Sequence, residues 1–151
     1  MNPLKKKFGL NYSSSEIKKE ENTENIVIVD EDLSSRVFLK IKFEEAGYIV
    51  KDLKTGAEAW DYVSSKKVSL LIMEMKLPEL HGSELLKKIK KNTPKLPVII
   101  YTSHPEFSSD MTVVTFPNHE YLIKPTPIDK ILETARYLID KATAKPKTEE
   151  K

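Results

Sequence analysis

Leu70-Leu71-Ile72-Met73-Glu74-Met75-Lys76-Leu77-Pro78-Glu79-Leu80-His81-Gly82 runs from four consecutive apolar residues into a loop that opens on an acid. An unbroken apolar run suits a strand covered on both faces, as in a parallel sheet packed between helices. In open sheets of that kind, ligands bind beyond the carboxyl ends of the strands. The stretch therefore predicts a buried strand over Leu70–Met73 with Glu74 at the mouth of a pocket. A helix from Ser83 to about Lys91 follows, stopped near Pro94.

The same alternation extends in both directions. Upstream, Ile26-Val27-Ile28-Val29 is a β-branched run that predicts another doubly covered strand. Leu33, Val37 and Ile41 recur at four-residue spacing and put an apolar stripe on a helix, with Ser34 as its N-cap and Gly47 at its end. Tyr48-Ile49-Val50 is the next strand, and Thr55-Gly56-Ala57-Glu58 matches a capping box that opens a second helix. Downstream, Val98-Ile99-Ile100-Tyr101 and Tyr121-Leu122-Ile123 complete the strands. Pro127 suits the first turn of a last helix capped by Thr126, with Ile131, Ala135, Leu138 and Ile139 as its apolar face. Five strand–helix repeats predict an α/β, doubly wound, five-stranded parallel sheet with helices on both sides.

The bounds agree with one folded unit. The chain has 151 residues, 39% hydrophobic and 32% charged, with a formal net charge of +2. Residues 1–24 read as a polar, disordered arm, 25–141 as the folded unit, and 142–151 as a flexible tail. So small a net charge argues against a dedicated nucleic-acid binder, which concentrates basic charge on one face. No nucleic-acid partner is expected. The absence of Cys excludes disulfides, thiol nucleophiles and Cys-based metal sites, and suits a cytoplasmic setting. No apolar run approaches roughly 18 residues, so no membrane span is expected. Lys5-Lys6-Lys7 has no apolar stretch behind it and does not read as a secretory signal. His81, His104 and His119 lack ligand spacing, so a histidine metal site is not expected.

The strand ends select the chemistry: Asp30-Glu31-Asp32, Glu74, Thr102-Ser103 and Lys124-Pro125. Three acids, a hydroxyl and an ammonium around one pocket suit a hard divalent cation beside a phosphoryl group. Here the chain resembles the receiver domain of two-component response regulators (the CheY-like family), over roughly Asn25 to Lys141. Asp30-Glu31 resembles the family's acidic pair, and Glu74, Pro78 and Gly82 its phosphorylation loop. Thr102 resembles the switch hydroxyl, Tyr121 the switch aromatic and Lys124-Pro125 the Lys-Pro pair. On its own, Tyr121 reads equally as a core aromatic. The resemblance implies a (βα)5, flavodoxin-like fold and Mg²⁺ held by Asp30, Glu31, Glu74 and the Lys76 backbone carbonyl. It also implies protein partners in a signalling pathway, a histidine kinase or a downstream regulator, and no enzymatic activity of its own.

Two departures stand out. The family's phosphoacceptor is Asp, and here it is Glu74. Thr112-Val113-Val114-Thr115 followed by Pro117 disfavours helix and predicts a shortened or rebuilt fourth helix. A phosphorylated Asp would carry roughly −1.5 to −2 charges, so Glu74 cannot reproduce that charge. What it adds is reach, on the order of 1.5 Å, enough to touch Thr102 or Lys124 as a phosphoryl oxygen would. The expectation is a phosphorylation-independent interaction module. The alternatives are a working receiver that accepts phosphate on Glu74 or Asp30, and a flavodoxin-like small-ligand binder. The last lacks a Gly-rich phosphate loop after its first strand.

Overall fold

The structure, a computed structural model, describes residues 24–144. Residues 1–23 of the expected arm and 145–151 of the expected tail lie outside those residues, whereas Ala142 and Thr143, expected in the tail, belong to the last helix. In chain order the elements are β1 (Asn25–Val29), α1 (Leu33–Glu45), β2 (Ile49–Leu53), α2 (Gly56–Ser65), β3 (Leu70–Met73), α3 (Gly82–Asn92), β4 (Val98–Thr102), a 3₁₀ turn (Pro105–Ser109), α4 (Met111–Val114), β5 (His119–Ile123) and α5 (Ile128–Thr143). One sheet holds all five strands in the order β2-β1-β3-β4-β5, and every pairing is parallel.

Each buried strand sends alternate side chains to opposite faces. Val27, Val29, Leu71, Met73, Val98 and Ile100 face one way and pack on α2, α3 and α4 through Ala59, Val63, Leu85, Ile89 and Val113. Ile26, Ile28, Leu70, Ile72 and Ile99 face the other way and meet Leu39 and Phe43 of α1 with Ile131, Ala135 and Leu138 of α5. Buried area therefore accumulates on both sides of the three central strands. That is why those strands read as continuous apolar runs.

Several local expectations need correction. Asp32, not Ser34, caps α1, accepting from the Ser35 amide at 2.9 Å. Asp is as good a cap as Ser, and the strand ends early enough to leave it free. The stripe of Leu33, Val37 and Ile41 faces outward, at 61%, 38% and 47% exposure. Successive helix residues turn by about 100°, so Leu39 and Phe43 lie opposite Ile41, and these two enter the core. Thr126 does not cap α5; its hydroxyl donates to the Ile123 carbonyl at 2.7 Å, and Pro127 takes the cap position. The second strand starts at Ile49, because Tyr48 turns inward against Phe43 with ring centroids 5.5 Å apart. The capping box at Thr55 and Glu58 is present in full, and Gly47 follows α1 at φ 100°.

The fourth crossover is rebuilt as the sequence predicts. Pro105 opens a 3₁₀ turn, Asp110 caps the four-residue α4 through the Thr112 amide at 2.8 Å, and β5 resumes at His119.

Two glycines seat the loop between β3 and α3. A Cβ on Gly56 would stand 1.8 Å from the Leu80 carbonyl oxygen, and one on Gly82 2.6 Å from that of Met75. The Gly56 amide also donates to the Pro78 carbonyl at 3.1 Å. Gly56→Ala is expected to destabilise the fold by about 1–3 kcal/mol, the usual cost of forcing extra atoms into a packed contact. Val37→Ser on the outward face of α1 should change stability by no more than about 0.5 kcal/mol. Urea unfolding of the two variants side by side checks both.

Candidate functional site

The strand ends bring the selected residues together because β1, β3 and β4 stop in register. Val29 pairs with Met73 and Leu53, and Ile100 with Met73. Asp30 and Glu74 therefore emerge side by side, and Thr102 lies two residues beyond Ile100. The amides of Asp30 and Glu74 stay in the ladder, donating to Leu53 and Val29 at 3.1 Å each. A cavity of about 610 Å³ opens above them, with Asp30, Glu31, Glu74, Lys76, His104 and Lys124 in its lining.

Glu74 is buried at 8% exposure. A buried carboxylate must find donors, and it finds four. Its Oε2 accepts from the Met75 amide at 2.7 Å, the Lys76 amide at 3.4 Å and the Thr102 hydroxyl in a short hydrogen bond. Its Oε1 lies 3.2 Å from Lys124 Nζ. The same ammonium sits 2.7 Å from Asp30 Oδ2 and 5.5 Å from the centre of the Tyr101 ring. Burial works against a charged Lys124. The hydrogen bond and charge of Asp30, then the charge and hydrogen bond of Glu74, outweigh it and raise the lysine pKa above its ordinary value.

A chain of hydrogen bonds leads away from Glu74. Thr102, fully buried, donates to Glu74 and accepts from the His104 amide at 3.1 Å. The His104 carbonyl accepts a short hydrogen bond from the Tyr121 hydroxyl. Tyr121 is half-buried and packs against the α2–α3–α4 core. Its phenol pKa is raised by burial first, then by the charges of Glu106 and Glu74. Tyr121 thus packs as a core aromatic while its hydroxyl is tied to the loop after β4.

The acidic set is less convergent than the sequence suggests. Asp32 is used up as the α1 cap, and Glu31 is exposed. Asp30 spends Oδ1 on the Asp32 amide and Oδ2 on Lys124. Among the described residues no three carboxylates or imidazoles come together as a metal-holding group. The set expected for Mg²⁺, Asp30, Glu31, Glu74 and the Lys76 carbonyl, comes from four residues that line one cavity, with Asp30 and Glu74 oxygens turned to Lys124 and Thr102. The extra methylene of Glu74 carries its carboxylate to Thr102, and Lys124 bridges Asp30 and Glu74. Lys76 borders the cavity, and its amide donates toward Glu74 at 3.4 Å.

Three supporting residues escaped the sequence reading. Arg36 holds the first loop, donating to the Asp30 carbonyl at 2.7 Å and pairing with Asp52 at 3.1 Å. Its signal was faint: one Arg in the first turn after an acidic run. His104 links Thr102 to Tyr121 through its backbone, which no side-chain pattern announces. Its ring and that of His81 flank Phe107, with centroids 6.1 and 5.5 Å away. Phe107 sits in the rebuilt fourth crossover.

Comparison with known proteins agrees with this geometry. The family model for the response regulator receiver domain matches residues 26–136. The chain belongs to that family. It is 34% identical to the DNA-binding transcriptional regulator NtrC of Escherichia coli (strain K12) over 103 residues, 68% of this chain and 22% of that protein. It is 31% identical to the transcriptional regulatory protein ZraR of Klebsiella oxytoca over 107 residues, 71% of this chain and 24% of that protein. The chain thus spans only about a quarter of the length of these curated relatives. Among solved structures, a CheY-like receiver domain protein from Methanospirillum hungatei JF-1 superposes with a TM-score of 0.75 at 26% identity, over 80% of this chain and 97% of that one. Response regulator protein TrrA of Thermotoga maritima, solved in complex with Mg²⁺-BeF, gives 0.71 at 26% identity, over 77% and 99%.

Tyr121 and Lys124 both have raised pKa values, so each holds its proton more tightly in the fold than in the unfolded chain. Their contributions are complete below the ordinary values of 10.0 and 10.5 and disappear as pH rises through the raised ones. Tyr121→Phe removes the bond to His104. Wild type should be more stable than this variant by about 1 kcal/mol at neutral pH. That advantage should vanish in alkali beyond the ordinary tyrosine value. Chemical denaturation across that pH range measures it.

Proposed function

We propose that this receiver domain is a phosphorylation-independent protein-interaction module, held in one state by Glu74. The observation that carries the reading is the full occupancy of the Glu74 carboxylate. It engages Thr102, the Met75 amide and Lys124 at once, the types of donor that would receive phosphoryl oxygens. Through Thr102 and His104 it is linked to an inward Tyr121. Geometry is imitated while charge is not: Glu supplies one negative charge where a phosphorylated Asp supplies roughly two.

Two further features support it. Phosphoryl transfer requires near in-line approach to an oxygen free to attack, and both oxygens of Glu74 are engaged. The Lys124 ammonium offsets one of the two negative charges of Asp30 and Glu74, and backbone amides with the Thr102 hydroxyl hold the remaining oxygens. In this reading the domain catalyses no reaction and works in the cytoplasm. Among the described residues no helix is long and apolar enough to cross a membrane. Its output passes through a bound protein of a signalling pathway. The strip of Leu33, Val37, Phe38 and Ile41 on α1 is an exposed apolar surface of the kind that marks protein contacts. Leu33 also borders the Glu74 cavity.

The competing reading is a working receiver, phosphorylated on Glu74 or Asp30. Incubation with acetyl phosphate and Mg²⁺ separates the two. Wild type is expected to gain no phosphate by intact-mass measurement. Glu74→Asp, which shortens the arm and frees Thr102 and Lys124, is expected to gain one. An acid-labile phosphate mapped to Glu74 or Asp30 of wild type would overturn the proposal.

A further inference from the structure

The end of the sheet opposite Glu74 holds a second cavity of about 890 Å³. Its lining is largely apolar, with Val68, Leu96 and Ile139 among the residues facing it, and three lysines stand around it: Lys66, Lys67 and Lys95. All three are exposed, and none has an ion-pair partner among the described residues. A concave apolar surface ringed by unpaired cations calls for an occupant that is apolar in the middle and acidic at its edges.

The chain's own amino-terminal segment enters at this place, and its nearest part carries one apolar residue, Ile17, among three acids and two lysines. Glu24 and Asn25 are part of the lining, and their positions are fixed. The Glu24 carbonyl accepts from the Ile49 amide at 3.1 Å, and its carboxylate pairs with Arg136 at 2.7 Å. Asn25 Nδ2 donates to the Lys67 carbonyl at 3.1 Å. Residues 1–23 therefore start from the lip of the cavity. Their nearest part reads Glu16-Ile17-Lys18-Lys19-Glu20-Glu21-Asn22-Thr23. Ile17 precedes Glu24 by seven residues, a reach of up to about 23 Å, enough to fold back along the cavity. Glu20 and Glu21 would then arrive beside Lys66, Lys67 and Lys95.

We propose that this basic-rimmed cavity is the docking site of the chain's own amino-terminal segment. Ile17 fills the apolar floor, and Glu20 and Glu21 pair with the three lysines. The cost of tethering is low because a short connection makes docking intramolecular, with a high effective concentration. An acidic, apolar-centred stretch of another protein would compete for the same surface. The inference does not depend on the state of Glu74, which lies at the other end of the strands.

The chain has no cysteine, so a single spin label can be placed cleanly. The full chain carrying Thr143→Cys, with a nitroxide at the cavity lip, is examined by amide NMR at low concentration. The expected result is loss of signal from the amides of Glu16–Glu21. Recovery is expected when Lys66, Lys67 and Lys95 are all changed to Glu, and independently in Ile17→Asp, where the lysines are intact. The domain amide spectrum reports whether each variant remains folded. The proposal is overturned if the amides of Glu16–Glu21 keep their full signal. It is also overturned if broadening survives in both folded variants. Transfer of the broadening to an unlabelled copy in a mixed sample would assign the cavity to a second chain and likewise overturn it.

Discussion

Two carboxylates, Asp30 and Glu74, leave the ends of adjacent strands at 4% and 8% exposure, and one ammonium serves both. Everything at this end of the molecule follows from that shortage of positive charge. Removing ions from water costs several kcal/mol each unless partners replace the lost hydration. Lys124 supplies part of the replacement. Backbone amides of Asp32, Met75 and Lys76 and the Thr102 hydroxyl supply the rest. The loops after β1 and β3 are thus folded around their own acids. The parallel register fixes the spacing of the charges, and the charges in turn fix the paths of the loops.

The one-carbon difference between Asp and Glu acts within this frame. A shorter side chain at position 74 would keep its oxygens nearer the Asp30 side of the pocket. Glu74 instead reaches across to Thr102, which is fully buried and whose hydroxyl, among the described residues, has only the His104 amide as a further partner. The hydroxyl therefore has one orientation that satisfies both neighbours. It donates to the carboxylate and accepts from the amide, and Tyr121 closes the chain on the His104 carbonyl. A relay of this kind has little freedom to be half-made, because each member's donor and acceptor roles are set by the next.

The fold was readable in the sequence wherever burial on both faces removed ambiguity. Leu70–Met73 is a strand with the bounds its apolar run implies, and the run Val98–Tyr101 is a strand that extends one residue further, to Thr102. The reading failed where a helix carries apolar residues on opposite sides. Spacing alone favoured Leu33, Val37 and Ile41, but Leu39 and Phe43 have the bulk and the position to fill the space under Ile26 and Ile28. The clustering of Asp30, Glu74, Thr102 and Lys124 was legible because each ends or follows a strand, and strands are the easiest elements to place. What holds them was not: His104 acts through its own backbone, and the Arg36 guanidinium grips the backbone carbonyl of Asp30, a partner with no residue-type signature. The charge distribution was also hidden. A net charge of +2 is compatible with acids at one end of the sheet and unpaired lysines at the other.

Gly56 has a consequence beyond packing. Its contact with Leu80 and its amide bond to Pro78 join the start of α2 to the loop that begins at Glu74. There is no compressible side chain between the two backbones to absorb relative motion. A displacement of the loop is therefore carried into α2 and reaches Trp60, which lies on that helix with Lys88 of α3 5.7 Å from the centre of its ring. The start of α2 and the loop after β3 are thus fixed to one another by backbone contact, separately from the hydrogen bonds that end at Tyr121.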